Sequence, residues 1–582
     1  MILTPLRNFL ERAHTALAGA RAQPLLALLG LACGLLAGAV VILFRFFIES
    51  MQSGLLPGGD PENYEALSIS TRLIFSIGGG VILGLLFYLV SRPPLRVGVI
   101  HVMERLAYHE GHLPLRNAVM QFVGGALSII AGHSVGREGP SVHLGAAGAS
   151  LMGQRLGLPN NSIRTLVACG VAAAIAASFN TPLAGVIFAM EVVMMEYTIS
   201  GFTPVILSAV SATALNRAVL QDSHAFVVPE LTLSTLWELP VIALMGVVAG
   251  AVAAGFIVSL KKITPQAQRI PIALRLPLAG AGVGLCAAVA PQVMGVGYDT
   301  VNAALVGEIA LATVVIILGF KFLATVICIG LTLPGGLIGP TLFMGALLGC
   351  ATGLLAGYFP IPQSEAGLYA ILGMGAMMGA VLQAPLAALL AIVELTGNIN
   401  IIFPGMLAII SATLACKEWF GQTSVYLSQI EGIGLIYRND PMSQSLRRLA
   451  LRSVLNPSFA MVQPTIGREQ ARKLLIESSP HWLILSLEDR HVLMPAADLA
   501  RYLEESEEEE IRLMEVPSRR QQLVAVRQQA TLQQALDKLD ESGAEAAYAI
   551  EPIGTAADRI YGVATRQEIT DGYRLRASSY FF

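Results

Sequence analysis

The sequence contains little charge, and the charge that it has is unevenly distributed. Only 13% of the 582 residues are Asp, Glu, Lys or Arg, whereas 54% are hydrophobic. Soluble proteins carry roughly 25% charged residues. Of the 77 charged residues (37 basic plus 40 acidic), 39 follow position 437 and 38 are spread over the first 437 positions. The sequence therefore predicts a polytopic α-helical membrane protein with a soluble C-terminal tail.

The sequence also lacks the signatures of several function classes. Its net charge is −3, and no clustered basic face suggests a nucleic-acid partner. The six cysteines lie in apolar runs without C-x-x-C spacing, so neither a metal site nor a disulfide framework is expected. No nucleophile–base pair and no H-E-x-x-H string supports catalysis. An intramembrane enzyme or sensor is therefore only a distant alternative to a transporter.

Apolar segments of two lengths fill the first 435 positions. Residues 1–22 are expected to form a cytoplasmic arm, and Pro24 to Phe44 the first membrane helix. Later segments such as Ser141–Leu156, Thr165–Ser178 and Thr341–Tyr358 have roughly 10 to 18 residues, which is short for a bilayer span. Glycine and proline bound them. Because lipid cannot satisfy free backbone groups, we expect broken helices that meet inside the protein.

The membrane part is duplicated. Gly136–Ala146 matches Gly336–Ala346 at an offset of 200, and Gly170 to Glu191 matches Gly373 to Glu394 at an offset of 203. The matches predict a transmembrane domain over 23–435, with repeats of about 25–220 and 235–430. Interrupted helices at corresponding places of two repeats indicate a substrate site near the bilayer midplane. Self-alignment leaves open whether the repeats are parallel or inverted.

The helix starts at Gly139-Pro140 and Gly339-Pro340 favour an anion as that substrate. Proline is common at the first helical position, and a helix N-terminus presents unpaired N–H groups with a partial positive charge. One such end contributes at most about 2 kcal/mol, too little to hold an ion in the membrane. Two converging ends from a duplicated fold would do more. No acidic ring favours a cation.

Three strings resemble signatures of the CLC family of chloride channels and chloride–proton exchangers. Gly132–Pro140 resembles its G-x-S-x-G-R-E-G-P motif, Phe179–Gly185 its second signature, and Pro334–Pro340 its third. The resemblance implies a CLC-type inverted repeat, a homodimer with one anion pathway per subunit, and a bacterial-type protein of the inner (plasma) membrane. Both the N-terminus and the tail would be cytoplasmic. It further implies chloride as the transported ion and no resident cofactor.

The same resemblance assigns residue roles along the pathway. Glu138 would be the gating glutamate, its carboxylate competing with chloride; the plainer alternative is a helix cap. Backbone N–H groups of Leu337 and Ile338 and the hydroxyl of Tyr426 would bind the anion. An interfacial tyrosine is the alternative for Tyr426.

Two further residues of the G-R-E-G-P string are candidate anion contacts. Gly139 lets the helix start come close to the ion. Arg137 is favoured as a structural or snorkelling residue over a direct ligand.

Two departures from the family pattern affect the expected mechanism. Val97 stands where the family has an anion-binding serine, so only its backbone remains. Val192 follows Glu191 at the position where exchangers usually carry an inner proton glutamate. A proton pathway through Glu138, Glu191 and Val192 is therefore doubtful, and a channel is slightly favoured over a chloride/proton antiporter. Transport of another anion, such as fluoride or nitrate, is a more distant alternative.

The remaining polar residues of the membrane part have plain alternatives. Glu191 and Glu394 are repeat mates, so an architectural role is favoured for both. His101, His133 and His143 would either make gating pH-sensitive or simply pack, and packing is favoured. None has metal-ligand spacing to another.

The tail, residues 436–582, resembles a pair of cytosolic α/β CBS domains, at about 451–505 and 515–575. Each predicted unit has a helix, two strands and a second helix. Thr565 and Glu568 resemble part of a nucleotide-ribose motif, with Glu568 in place of aspartate. Asp498 keeps the acid in the first unit, where Pro495 replaces the hydroxyl. Binding of an adenine nucleotide is left open.

Overall fold

The chain divides into two compact units in the computed structural model. One comprises Leu26–Arg155 and Ile163–Arg438, and the other is built mainly from Asn439–Phe582. The predicted N-terminal arm lies, apart from residue 22, outside the described residues. The structure describes residues 22–90, 95–197, 199–220, 226, 232–358, 364–435, 441–487, 490–551 and 559–577.

The membrane unit is entirely helical in its regular secondary structure over the described residues. Its helices are α1 Ala22–Leu55, α2 Ile69–Val90, α3 Gly98–Tyr108, α4 Leu115–Ile130, α5 Glu138–Arg155, α6 Asn160–Phe179, α7 Pro182–Phe188, α8 Ile199–Leu220, α9 Leu239–Ala267, α10 Ile272–Val289, α11 Tyr298–Val306, α12 Leu311–Gly330, α13 Ile338–Ala356, α14 Ala366–Leu382, α15 Pro385–Thr396, α16 Ile402–Leu414 and α17 Val425–Gly432.

Nine helices within the described part of the chain are long and apolar enough to cross a membrane. This finding confirms the predicted polytopic membrane protein. The first helix has 34 residues and is longer than the predicted Pro24 to Phe44. Other helices, such as α7 with 7 residues and α15 with 12, are too short to span alone. The unit therefore combines spanning helices with helices that end inside the membrane.

Two segments predicted as too short to span are longer than expected. Helix α6 has 20 residues because it begins at Asn160, in polar sequence that hydropathy alone excluded. Helix α13 has 19 residues because it begins at Ile338, one residue before the predicted start at Gly339-Pro340 and ahead of the apolar segment that begins at Thr341. For these two helices the length prediction was wrong. Both are nevertheless mostly buried inside the protein, at 94% and 78% of their most apolar windows.

The two repeats meet directly at equivalent residues. The N–H of Gly136 donates to the carbonyl of Gly336, and the N–H of Gly336 donates to the carbonyl of Gly136, both at 2.7 Å. The bridge is antiparallel, so the equivalent segments run in opposite directions. A Cβ atom at Gly336 would lie 2.5 Å from the backbone nitrogen of Gly139. Glycine is therefore required for the two loops to approach.

A second reciprocal contact joins the repeats at α7 and α15. The Glu191 carboxylate accepts the N–H groups of Leu386 and Ala387 at 3.3 and 2.7 Å, in the first turn of α15. The Glu394 carboxylate accepts those of Leu183 and Ala184 at 3.0 and 2.8 Å, in the first turn of α7. Each acid thus caps the helix of the other repeat, which fits the architectural role favoured from the sequence.

The C-terminal unit is a duplicated α/β structure. Its six-stranded sheet has the order β1-β3-β4-β6-β7-β8, and β2 pairs separately with β5. The pairs β1–β3 and β6–β7 are parallel, and β3–β4 and β7–β8 are antiparallel. The elements are α18 Pro441–Arg447, β1 Phe459–Val462, β2 Thr465–Gly467, α19 Arg468–Glu477, β3 Trp482–Ser486, β4 His491–Pro495, α20 Ala496–Glu505, β5 Glu510–Arg512, β6 Gln521–Arg527, α21 Leu532–Ser542, β7 Ala546–Glu551, β8 Arg559–Thr565 and α22 Arg566–Ala577.

Each half of this sheet follows the same order of strand, helix, two strands and helix, which is consistent with a CBS-like pair. The predicted helix–strand–strand–helix units are present in both halves. Strands β1 and β6, which precede them, were not predicted. Strand β1 has only four residues, and β6 is mostly half-buried with polar ends. Neither pattern separates a strand from a loop.

Candidate functional site

The Glu138 side chain lies fully buried between the two repeats at the start of α5. Its Oε1 accepts a hydrogen bond from the Tyr298 hydroxyl at the start of α11. Its Oε2 accepts the backbone N–H of Gly339 at 3.2 Å, in the first turn of α13. A carboxylate of one repeat therefore sits on the positive end of a helix of the other.

Glycine makes this placement of the carboxylate sterically possible. A Cβ at Gly136 would lie 2.3 Å from Glu138 Oε2, and one at Gly339 would lie 3.1 Å from the same oxygen. A side chain at Gly136 would therefore push the carboxylate out of its position. Gly139 itself packs on Gly336, where a Cβ would lie 2.5 Å from the Cα of Gly336.

Leu337 and Ile338, the predicted backbone ligands, lie beside the carboxylate. Leu337 precedes the first residue of α13, Ile338 is that first residue, and both are buried. N–H groups at this end of a helix have no partner within the helix. The N–H that contacts Glu138 belongs to Gly339, one residue further along. The structure thus brings both predicted residues close to the Glu138 carboxylate, and their contact with an anion stays a prediction.

Tyr426 presents an unused hydroxyl in the same region. It is the second residue of α17, its side chain is 3% exposed, and its Oη has no hydrogen-bond partner among the described residues. The charge of Glu138 acts on it. A buried hydroxyl without a partner costs about 1–3 kcal/mol. This geometry fits a donor that is satisfied by an ion more closely than a tyrosine of the membrane interface.

The stretch at Val97 approaches from α3, against which α17 packs. Val97 is the extended residue before α3, and it supplies no side-chain cap. Gly98 follows with φ of +85°, a conformation that favours glycine. Only backbone N–H groups are therefore available here, as the missing serine implied.

Gln121 is a polar residue near this stretch that sequence analysis missed. It is fully buried on α4, and neither atom of its amide has a partner within the described chain. A Cβ at Gly98 would lie 4.0 Å from its Oε1. The repeat offset of 200 pairs Gln121 with Lys321 and is the signal that could have found it.

Arg137 makes contacts within the protein that partly compensate its positive charge. Its guanidinium donates to Glu49 at 3.3 Å and lies over the Tyr298 ring, 5.1 Å from the centroid. Glu49 also pairs with Arg45 at 2.7 Å. These contacts support the structural role that was favoured over direct anion binding.

Tyr298 is the principal residue that sequence analysis missed. Its ring packs edge-on against Phe226 at 5.0 Å, and its hydroxyl reaches Glu138. Its backbone N–H donates to Glu62 at 3.1 Å. Burial raises the pKa of Glu62, in the α1–α2 connection, to about 7. The repeat offset of 200 places Tyr298 on Gly98, so the two N-termini of α3 and α11 are repeat mates.

The predicted proton pathway is not assembled around Val192. Val192 is 4% exposed in a π-helical turn, Ala189–Met194, between Ala189 and Val193, which are fully buried. Glu191 is engaged at the start of α15. Of the three predicted residues, Glu138 is the one that contacts the N-terminus of α13, and the proton pathway stays a prediction.

Lys321 lies in the middle of α12 and is fully buried. Its ammonium donates to the carbonyls of Val293, Gly295 and Val296 at 3.1, 3.1 and 3.4 Å. It also lies 4.4 Å from the centroid of the Phe343 ring. The second repeat therefore contributes a buried positive charge.

The candidate nucleotide residues of the tail make ordinary local contacts. Asp498 accepts the hydroxyl of Ser518 at 2.6 Å. Glu568 accepts the N–H and hydroxyl of Thr565 at 2.7 and 2.9 Å, and the Thr565 hydroxyl accepts the N–H of Glu568. This is a helix-capping arrangement at the start of α22. Nucleotide binding at these residues stays a prediction.

The comparisons identify the class of protein to which this site belongs. Residues 79–417 match the family model described as voltage gated chloride channel. A relative from Ralstonia nicotianae (strain ATCC BAA-1114 / GMI1000), a putative chloride channel protein ClcB-like, is 34% identical over 406 residues. That alignment covers 67% of this chain and 93% of the relative. The chain therefore belongs to the CLC family of anion transporters.

Solved structures share the fold. A slow cyanobacterial Cl⁻/H⁺ antiporter has a TM-score of 0.62 and 24% identity, covering 70% of this chain and 97% of that one. A eukaryotic CLC transporter has a TM-score of 0.57 and 18% identity, covering 93% of this chain and 97% of that one. The second match extends over both units of the chain.

Proposed function

We propose that this protein transports chloride across the bacterial inner membrane through a pathway gated by Glu138. The observation that carries the proposal is the Glu138 carboxylate on the Gly339 N–H, 3.2 Å away at the N-terminus of α13. A carboxylate is an anion, and it occupies a position that backbone N–H groups and the helix dipole make favourable for any anion. Chloride would compete for that position.

Gating follows from this competition. While Glu138 is ionised and held by Tyr298 and Gly339, it fills the helix N-terminus. Protonation removes the negative charge, and the neutral acid no longer competes with chloride. The Gly339 N–H is then released, and chloride would bind at this helix N-terminus beside the N–H groups of Leu337 and Ile338. The unpartnered Tyr426 hydroxyl would donate a further hydrogen bond.

Chloride is favoured over fluoride or nitrate by the chain's own residues. The intact Gly136–Pro140 string and Tyr426 match the chloride-transporting pattern of the family, and the bacterial relative carries a chloride-channel name. We further propose a homodimer with one pathway in each subunit and a cytoplasmic tail. These two statements rest on family membership.

Flux from liposomes that hold the purified protein tests the proposal. Chloride efflux is expected when a potassium ionophore balances charge, with slower efflux of fluoride and nitrate. Protein-free liposomes are the control for leakage. The absence of efflux for all three anions would overturn the proposal, and faster fluoride than chloride efflux would overturn the choice of ion.

An uncoupled channel and a chloride/proton exchanger are both compatible with this gate. Val192 favours the channel, because valine cannot carry a proton at the inner position. The exchanger is the second candidate, and the buried pair His101 and His143 favours it, at 2.9 Å between ring nitrogens. The reversal potential in a bilayer with a pH gradient separates them. A channel reverses at the chloride equilibrium potential whatever the pH difference.

A further inference from the structure

Two histidines contact one another inside the membrane unit. His101 lies on α3 and His143 on α5, and they are 4% and 0% exposed. The Nδ1 of His101 is 2.9 Å from the Nε2 of His143, with the rings edge to face. Two imidazoles at this distance share one hydrogen bond, so one ring donates and the other accepts.

Asn117 determines which ring donates. Its amide nitrogen lies 3.3 Å from His101 Nε2 and donates to the Arg96 carbonyl at 2.9 Å. An amide nitrogen only donates, so His101 Nε2 accepts and His101 Nδ1 carries the hydrogen. His143 Nε2 then accepts, and His143 Nδ1 carries the second hydrogen. That Nδ1 is buried without a partner in the described part of the chain.

The pair shares its two helices with two acids, Glu138 on α5 and Glu104 on α3. His143 follows Glu138 by five residues on α5, about 7.5 Å along the helix axis. On α3, Glu104 follows His101 by three residues, which places both on one face. Glu104 Oε1 pairs with Arg96 at 2.7 Å, and the Arg96 side chain is 49% exposed. Glu104 Oε2 is buried without a partner among the described residues.

The fold itself does not require this pair. At the offset of 200, the second repeat has Val301 and Phe343 at the positions of His101 and His143. Both are fully buried, and α11 with α13 repeats the arrangement of α3 with α5. An apolar pair therefore fills the equivalent space. Polar atoms buried without full hydrogen bonding are costly, which argues that the first repeat has histidines for another reason.

We propose that His101 and His143 transfer protons between Glu104 and the gate. A proton that binds His101 Nε2, once Asn117 rotates away, releases the Nδ1 proton of His101 to His143 Nε2. His143 then releases its Nδ1 proton toward Glu138. One proton enters and one leaves, and ring reorientation restores the starting tautomers. The proposal rests on the proposed function, and it supplies the titratable step that Val192 lacks.

The charged groups around His101 and His143 disfavour a proton that stays on the pair. Arg96, Arg105 and His109 act on His101 from its own side, and His143 is the titratable group that faces it from α5. Glu104 is the acid nearest along the helix. Burial, and after it the positive charges of Arg105 and Arg96, oppose a lasting imidazolium at His101. A proton that enters the pair is therefore passed on to the next group.

Simultaneous proton and chloride fluxes in proteoliposomes test the proposal. In wild type, a chloride gradient should drive proton movement. His143→Phe introduces the residue of the second repeat, and His101→Gln keeps a polar side chain. Each should lower proton flux roughly tenfold or more, because a transfer group is lost, while chloride flux stays within about twofold.

His133→Gln is the matched control. His133 is equally buried, but its ring nitrogens contact the Ser76 carbonyl at 2.9 Å and the Ser128 hydroxyl at 3.3 Å, not another titratable group. Its substitution should leave the ratio of protons to chloride unchanged. A fall of that ratio in the control as large as in the two variants would overturn the proposal.

The remaining outcomes separate this proposal from the proposed function. Wild-type protein that moves chloride without protons, or His101→Gln with unchanged proton flux, refutes the histidine pathway and leaves chloride transport standing. Wild-type protein without anion flux refutes the proposed function instead. Where the histidine variants do not fold by gel filtration, Glu104→Gln at the partly exposed end decides. Its proton flux should fall while chloride flux persists, and unchanged proton flux overturns the pathway.

Discussion

The two repeats of the membrane unit have the same backbone plan and different polar side chains. Both have glycine at the central bridge, Gly136 and Gly336, and both have a capping acid, Glu191 or Glu394. At the offset of 200, however, Glu138 corresponds to Ile338. Positions that are the same in both repeats therefore build the fold, and positions that differ are where an ion pathway becomes asymmetric.

Several of the differences change the charge or the hydrogen-bonding capacity of a buried side chain. Beyond Glu138, the first repeat has a buried amide where the second has a lysine, and two histidines where the second has apolar side chains. The second repeat in turn has a tyrosine hydroxyl at the start of α11. The differing pairs are Gln121 and Lys321, His101 and Val301, His143 and Phe343, and Gly98 and Tyr298.

The largest effect is expected from neutralising Glu138, whose counterpart in the second repeat, Ile338, is already neutral. Glu138→Gln removes the anion that competes with chloride at α13, and its hydrogen bonds to Tyr298 and Gly339 lose their charge assistance. Chloride flux at pH 7 should rise between about tenfold and a hundredfold, since a charged hydrogen bond contributes about 1.5–3 kcal/mol. The pH dependence that comes from Glu138 should disappear, and only the smaller step expected from Glu62 should remain.

Asp299→Asn is the control for this change, because Asp299 is an exposed acid next to Tyr298. It removes the same charge without touching the gate, and flux should stay near wild type. Equal fluxes in wild type and Glu138→Gln at every pH would refute the gating role.

The shared positions should give equal effects in the two repeats. Glu191→Gln and Glu394→Gln each weaken two charged hydrogen bonds to a helix N-terminus. Each should cost about 2 kcal/mol of unfolding free energy. Thermal or denaturant unfolding in detergent measures the losses, which should agree within about 0.5 kcal/mol. A loss in only one variant would mean that the two acids are not architectural equivalents.

A smaller effect is expected from the tyrosine that is present in only one repeat. Tyr298→Phe deletes the hydroxyl that holds Glu138 and leaves the ring against Phe226. Chloride flux should rise about tenfold or less, since one of two bonds to the gate is lost. In the Glu138→Gln background the same change should add little, because the two residues act as one unit.

Tyr369→Phe is a matched control for the tyrosine variant. Tyr369 is fully buried and its hydroxyl donates to a carboxylate, Glu238, at 2.8 Å. Losing that bond should affect stability but not flux. A Tyr298 variant that changed flux no more than the control would show that the hydroxyl does not position the gate.

These partners of Glu138 illustrate what the sequence could and could not predict. The G-R-E-G-P string pointed to Glu138 as the proposed gate, and the self-alignment predicted the duplication, because both rest on short strings that can be recognised in the sequence. Tyr298 lies 160 positions from Glu138, and Gly339 lies 201 positions away. Their contacts depend on how the two repeats pack, which no local pattern encodes. The repeat offset could have pointed to Tyr298 only through comparison with Gly98.

The His101–His143 contact is a second feature that the sequence alone did not reveal. Val192 has no titratable group, and this favoured a channel. The contact of His101 with His143 joins α3 and α5 across 42 positions. Each histidine alone gave no signal, because a single buried histidine is usually a packed one. Two histidines in hydrogen-bond contact can exchange a proton, which one packed histidine cannot do alone.

The smallest effect is expected from Glu62, an acid that contacts the backbone of Tyr298. Its carboxylate accepts the Tyr298 N–H at 3.1 Å, and burial raises its pKa to about 7. Below that pH the group is mostly neutral, and above it the group adds a negative charge that repels chloride. Flux should therefore fall about twofold as pH on that side rises from 6 to 8, a modest change because water and salt screen the charge.

Glu62→Gln should remove this step and hold flux near the wild-type value of the acidic side. Asp60→Asn, an exposed acid two positions earlier, is the control and should leave the step in place. The measurement varies pH on one face of an oriented bilayer at a time, which shows the face from which the group titrates. If the fall in flux with rising pH persists in Glu62→Gln, another group causes it. Tyr298 would then be the residue that accounts for the difference between the repeats at this position.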